Sequence, residues 1–249
     1  MSVRTYLRTP AALAWTLAAI VGVAATVAAG WQLTVALASS TAIADAAFLD
    51  GIGAIVLVAV VAVSVLAVAA AVWLPCSAAI AYAVGRRYRG RSATIRGAHA
   101  VVRARSEPLY RWVKTLLAVG AIADRLLTEN DVAPTEVAAG CGAFVVPAIV
   151  LDAPTLPSAV DRANRVVPSP GRRRIQVAGV GATAALAAGC WGLVSALGEL
   201  PLPIEVTVSL PSVLFLAVSV VGLVITAAVD VAWRAATYAD ADTDAGFVS

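Results

Sequence analysis

Residues 51–85 run for 35 positions without a charged side chain, and residues 10–37 run for 28. A helix rises ~1.5 Å per residue, so about 20 apolar residues cross the ~30 Å hydrocarbon core of a bilayer. Both runs are long enough to span, and the longer one overshoots. The composition leaves no other setting: 61% of residues are hydrophobic and 13% are charged, where soluble domains carry about 25% charged residues. A chain so poor in polar surface cannot cover itself in water. It belongs with the integral membrane proteins.

Six apolar segments are predicted, at residues 11–37, 52–74, 110–127, 137–151, 175–198 and 206–230. Four are full-length spans. The segment 110–127 carries Lys114, Asp124 and Arg125, and 137–151 is only 15 residues long. Runs of that kind form short tilted spans, re-entrant elements or buried helices, and as a pair they make a hairpin turning at 124–136. The expected fold is therefore all-α: one integral membrane domain over 1–249, a polytopic helix bundle of six spans, or of four spans plus a re-entrant hairpin. Pro75 is expected to kink or end the second span near Trp73, because proline removes a helix hydrogen bond. A signal peptide is the rival reading of the first run, but its apolar core exceeds the usual ~7–15 residues; a retained helix is expected. Trp31, Trp73, Trp112, Trp191 and Trp233 fall near predicted span ends, as an interfacial belt requires.

Charge orients the chain. Arg4 and Arg8 precede the first span, residues 86–114 hold eight Arg and Lys114 against Glu107, and residues 152–174 hold five Arg against two Asp. The alternate loops are acidic, with Asp45, Asp50, Asp124, Glu129, Asp131, Glu136, Glu199 and Glu205. Basic loops stay cytoplasmic, which places both termini inside the cell membrane. The polar acidic tail 239–249, the preference for Arg over Lys and the richness in Ala and Val fit a salt-adapted archaeon with a GC-rich genome.

Two cytoplasmic amphipathic helices are predicted at the lipid surface. In 92–105 a stripe of Ile95, Ala98 and Val102 lies apart from Arg96, Arg103 and Arg105, with Ser92 as the expected cap. Such a helix lies flat on an anionic leaflet, each basic residue contributing about 1 kcal/mol. In 158–167, Ser158 and Asp161 form a capping-box pattern, Val160, Ala163 and Val167 make the apolar stripe, and Asp161 stands four residues before Arg165. Arg162 and Arg165 complete the lipid-surface set. Between the fourth segment and this helix, Pro147 is expected to weaken the last turns. Asp152 is expected where the chain leaves the hydrocarbon, with Pro154 and Pro157 stopping the helix. Pro147 and Asp152 are the candidate functional residues. Asp230 and Arg234 are spaced for a local ion pair.

The stretch 144–166, FVVPAIVLDAPTLPSAVDRANRV, resembles a segment found between two pairs of helices in a family of prokaryotic multi-pass membrane proteins of unknown function. It carries Phe144, Val145, Val146, Pro147, Leu151, Asp152, Ala159, Arg162, Ala163 and Val166 at matching positions; Asp152 replaces the family's usual Glu, and Ala163 stands where Ser is frequent. The layout is more distantly similar to the membrane domain attached to some glycerophosphodiester phosphodiesterases. The resemblance implies a six-helix bundle with two cytoplasmic interfacial helices and offers no catalytic residues.

Every fourth position of the first span is small (Ala14, Ala18, Gly22, Thr26, Gly30), as are Gly181, Ala185 and Gly189 in the fifth. Such stripes let helices approach closely in lipid, and packing within one chain is expected rather than a dimer seam. Three scattered cysteines, one histidine (His99) and no CxxC pair argue against a disulfide framework, a metal site or a cofactor. Walker, HExxH and GxSxG patterns are absent. The sequence reading is thus a non-enzymatic membrane protein that scaffolds partners or organises lipid, alternatively a carrier of lipid or small apolar molecules. Its expected partners are membrane lipids, other membrane proteins or a second copy, and not nucleic acid.

Overall fold

A computed structural model describes residues 3–38, 52–117, 137–138, 140–166, 171–198 and 209–245. Among them every regular element is helical: α1 (Val3–Leu7), α2 (Pro10–Ala38), α3 (Ile52–Tyr88), α4 (Ile95–Ala104), α5 (Ser106–Leu117), a 3-10 turn (Cys141–Phe144), α6 (Val145–Leu151), α7 (Leu156–Asn164), α8 (Gly171–Gly198) and α9 (Ser209–Ala245). Among the described residues, three stretches are long and apolar enough to cross a membrane: Pro10–Leu37, Ile55–Tyr88 and Leu214–Ala241. The chain is therefore an all-helical protein of membrane type. The fourth long run forms α8, of 28 residues. The hairpin turn at 124–136, the acidic loops and the end of the 110–127 segment lie outside the described residues.

The chain forms two compact units. One comprises Leu17–Pro75 and Ala182–Val224. Its surface is apolar: Ile55 is 70% and Leu66 is 68% exposed. Water does not tolerate an apolar face of that extent, and lipid does. Three of its hydroxyls are satisfied by their own helices, Thr26 donating to the Gly22 carbonyl, Thr34 to Gly30 and Ser64 to Val60. The small stripe of α2 packs within the chain as expected: Gly22 faces Val72, and Gly30 faces Val65. The stripe expected on α8 does not pack, since Gly181 and Gly189 face open space. Here the close approach is Gly222 of α9 against Thr183 of α8.

The other unit comprises Met1–Thr16, Cys76–Gly181 and Ile225–Ser249. Its core is the end of α3, where Ala78, Ala79, Ile80, Ala81, Ala83 and Val84 are fully buried, with α6 and α7 packed together and α5 against both. α3 runs through Pro75 to Tyr88 without ending, so of the kink or end expected near Trp73 the end is overturned. The helix changes surroundings there instead, from exposed to buried. Trp112 and Trp233 are buried here, Trp233 tilted against Phe144 at 6.4 Å, so they are core residues and not part of an interfacial belt. His99 is on the surface, stacked on Trp15 at 6.2 Å.

The segment 137–151 is helical only over Cys141–Leu151, which at ~1.5 Å per residue reaches about half the hydrocarbon thickness. Phe144, Val145, Ala148 and Ile149 are all 1% exposed or less. Its apolar character is explained by burial in protein. Pro147 lies in the first turn of α6 and not in its last turns. A first-turn proline gives up an N–H that has no partner in the helix anyway.

Candidate functional site

The site begins at a helix end. Gly90 takes a left-handed conformation, φ 71°, and closes α3: the Arg91 N–H reaches back to the Arg86 carbonyl (2.9 Å) and the Gly90 N–H to Arg87 (3.1 Å). This pair of bonds satisfies the last carbonyls of the helix and needs a residue that accepts positive φ. It leaves Arg89 at the cap. α6 ends similarly nearby, with the Asp152 and Ala153 N–H groups both bonded to the Ala148 carbonyl, and Pro154 follows.

Arg89 and Asp152 join these two ends. The guanidinium donates from Nη1 to Oδ1 and from Nη2 to Oδ2, both at 2.7 Å, and the side chains are only 14% and 15% exposed. Parallel charge-assisted bonds of this kind are among the strongest polar contacts in proteins. The Arg89 guanidinium also lies 6.0 Å from the Tyr238 ring of α9. Burial disfavours charge on Asp152, but the Arg89 hydrogen bonds and charge outweigh it. With added help from the Tyr238 hydroxyl and the Arg162 charge, they hold the carboxyl below its usual range. Two helix C-termini present partial negative charge to an acid, so the arginine is needed for Asp152 to sit there. Asp152 is thus an anchored ion.

α7 starts at Leu156 with Thr155 extended before it, which corrects the capping box expected at Ser158. Ser158 donates instead to the Thr155 carbonyl at 2.9 Å, and Pro157 sits in the first turn of α7. Leu156, Ala159, Val160 and Ala163 are buried, while Asp161, Arg162 and Arg165 are exposed. Ser158, Asp161, Arg162 and Arg165 line a cavity of about 390 Å³ with Tyr238 and Ala241 of α9.

α4 is amphipathic as expected, but its cap is Thr94, whose hydroxyl accepts the Gly97 N–H at 3.0 Å, and not Ser92. Ala98 is buried, while Ile95 of the same stripe is 50% exposed. Arg96 and Arg103 are exposed and Arg105 is half-buried at the helix end. Among the described residues no ion pair engages Arg96, Arg103, Arg105, Arg162 or Arg165. The structure therefore brings Asp152, Arg162 and Arg165 into one neighbourhood and leaves Pro147 in the core behind them. Arg89 and Tyr238 escaped the sequence reading. Arg89 was hidden in a basic run that orientation alone explains, and Tyr238 in an apolar helix.

Asp230 and Arg234 form the expected pair on α9. It is not a surface pair: Asp230 is 3% exposed and accepts a 3.1 Å hydrogen bond from Gln176 Nε2 of α8.

These features define a helical membrane protein with a polar cluster built on helix ends. No family model, curated protein or solved structure matches the chain.

Proposed function

We propose that the chain is a multi-pass protein of the cell membrane, with both termini cytoplasmic, that organises anionic lipid and partner proteins without catalysing a reaction. Four crossings are made by α2, α3, α8 and α9, and the region between α5 and α6 enters and leaves on the cytoplasmic side. The observation that carries the reading is the division of α4 and α7. Each buries a small apolar face in protein and turns outward arginines that make no ion pair among the described residues. Arginines so placed are drawn to anionic headgroups. The carrier reading is weaker for a specific reason: Asp152, its natural proton-coupling residue, is held ionised by Arg89.

The test is charge reversal at Arg96 and Arg103 together. Native mass spectrometry of protein extracted from anionic membranes should show fewer retained anionic lipids than wild type. Unchanged retention would remove the lipid-surface role.

A further inference from the structure

We infer that the cavity between α7 and α9 is a binding site for a phosphate group, with Arg162 and Arg165 as its donors. This rests on the reading of the arginine faces as lipid-facing and names a particular headgroup site within it.

Ser158, Asp161 and Arg162 of α7 and its C-cap Arg165 recur at intervals of three, one and three residues, which puts them on one helix face. That face is solvent-exposed at Asp161, Arg162 and Arg165. Tyr238 and Ala241 of α9 stand across from it and complete an open cavity of about 390 Å³, within the range of small-molecule sites. The rest of α7 is packed: Ala159 and Ala163 are fully buried and Val160 is 3% exposed, so the helix cannot roll to bring its arginines elsewhere.

The donors are the two guanidinium groups. The Ser158 hydroxyl donates its proton to Thr155, and Tyr238 serves Asp152. Neither arginine is in an ion pair among the described residues. Among the described residues Asp161 is the only acid lining the cavity, against two arginines. Asp152 lies nearby but is already met by Arg89. The described lining thus carries a net positive charge, on planar forks that fit phosphate oxygens two at a time. A carboxylate could be bound too, but two forks converging on one cavity favour a group with three or more oxygens.

The phosphate could belong to a lipid headgroup or to a soluble molecule, and one experiment separates the two. Full-length protein is placed in phosphatidylcholine nanodiscs and titrated calorimetrically with inorganic phosphate. In parallel, retention of phosphatidylglycerol is measured by native mass spectrometry after extraction from mixed discs. Both assays compare wild type with Arg162→Gln/Arg165→Gln, Arg162→Lys/Arg165→Lys and Arg96→Glu/Arg103→Glu. Both cavity arginines are exposed, so the fold is expected to survive, as circular dichroism would verify.

A loss of about tenfold or more in phosphate affinity in the Gln variant, with partial recovery by Lys, supports a site for soluble phosphate. Loss of phosphatidylglycerol in the Gln variant that exceeds the loss in the α4 variant supports a headgroup site. A Gln variant matching wild type with both probes overturns the inference. If the α4 variant alone then loses lipid, the broader lipid-surface reading stands without this site; if neither variant loses lipid, both fall.

Discussion

Leu151 packs against Gly85 so closely that a Cβ at position 85 would stand 2.5 Å from its Cδ1. One residue beyond Leu151 is Asp152, and one helical turn beyond Gly85 is Arg89. The missing side chain therefore sets the separation at which the 2.7 Å bonds of the Arg89–Asp152 pair can form. Gly85→Ala gains about 1 kcal/mol of helix propensity but overpacks the contact at roughly 1–3 kcal/mol. Net destabilisation of about 1 kcal/mol is expected. Chemical denaturation in mild detergent would measure it, and a stabilised variant would show that the close approach is not needed.

The ion pair itself should behave as a unit. Removing one member leaves the other charge largely buried without its counter-charge, which typically costs about 3–5 kcal/mol. Asp152→Asn and Arg89→Gln are each expected to destabilise by an amount near the lower end of that range, since water reaches both side chains. The double variant should lose little more than either single one, because contacting residues are not additive. Fully additive losses would mean that the two side chains contribute separately.

Acid should reveal the same pair. The carboxyl of Asp152 is held below its usual range by Arg89, so the folded state binds this proton more weakly than the unfolded chain does. The resulting stability is fully present above the unfolded carboxyl pKa of about 3.9. It is lost as pH falls through the folded value. Wild type should therefore lose stability in that acidic window more steeply than Asp152→Asn. At neutral pH the proton-linked contribution is flat. Parallel acid profiles of the two proteins would refute this assignment.

The long helices were legible because a bilayer imposes one length and one polarity on whatever crosses it. The α2 seam was legible too: small residues at a spacing of four are informative when, as with Gly22 and Val72, the partner helix comes next in the chain. The seam of α8 was not, because Gly181 and Gly189 share the pattern and pack against nothing. Helix starts were misread by two or three residues at Ser92 and Ser158 since Thr94 and Thr155 precede an apolar position as well as a serine does. The Arg89–Asp152 pair lay beyond sequence reasoning. Its members are 63 positions apart, and nothing local marks one arginine among eight as the partner of an acid. Polarity alone left the 137–151 segment open between a span, a re-entrant element and a buried helix, because a run buried in protein and a run in lipid are equally apolar.

The helical length of that segment carries the last prediction. An apolar helix of Cys141–Leu151 is about half of what a crossing requires, and α5 carries Glu107, Arg111 and Lys114 along its course. In the proposed arrangement the region enters and leaves on the cytoplasmic side without reaching the far face. In a variant with Cys76, Cys141 and Cys190 replaced by alanine, Ser92→Cys should react with a membrane-impermeant thiol reagent only after cells are opened. Asn130→Cys should behave the same way. Labelling of both positions in intact cells would reverse the orientation. Labelling at position 130 alone would mean that the chain crosses and returns there, giving six crossings and a route through the bilayer beside α6.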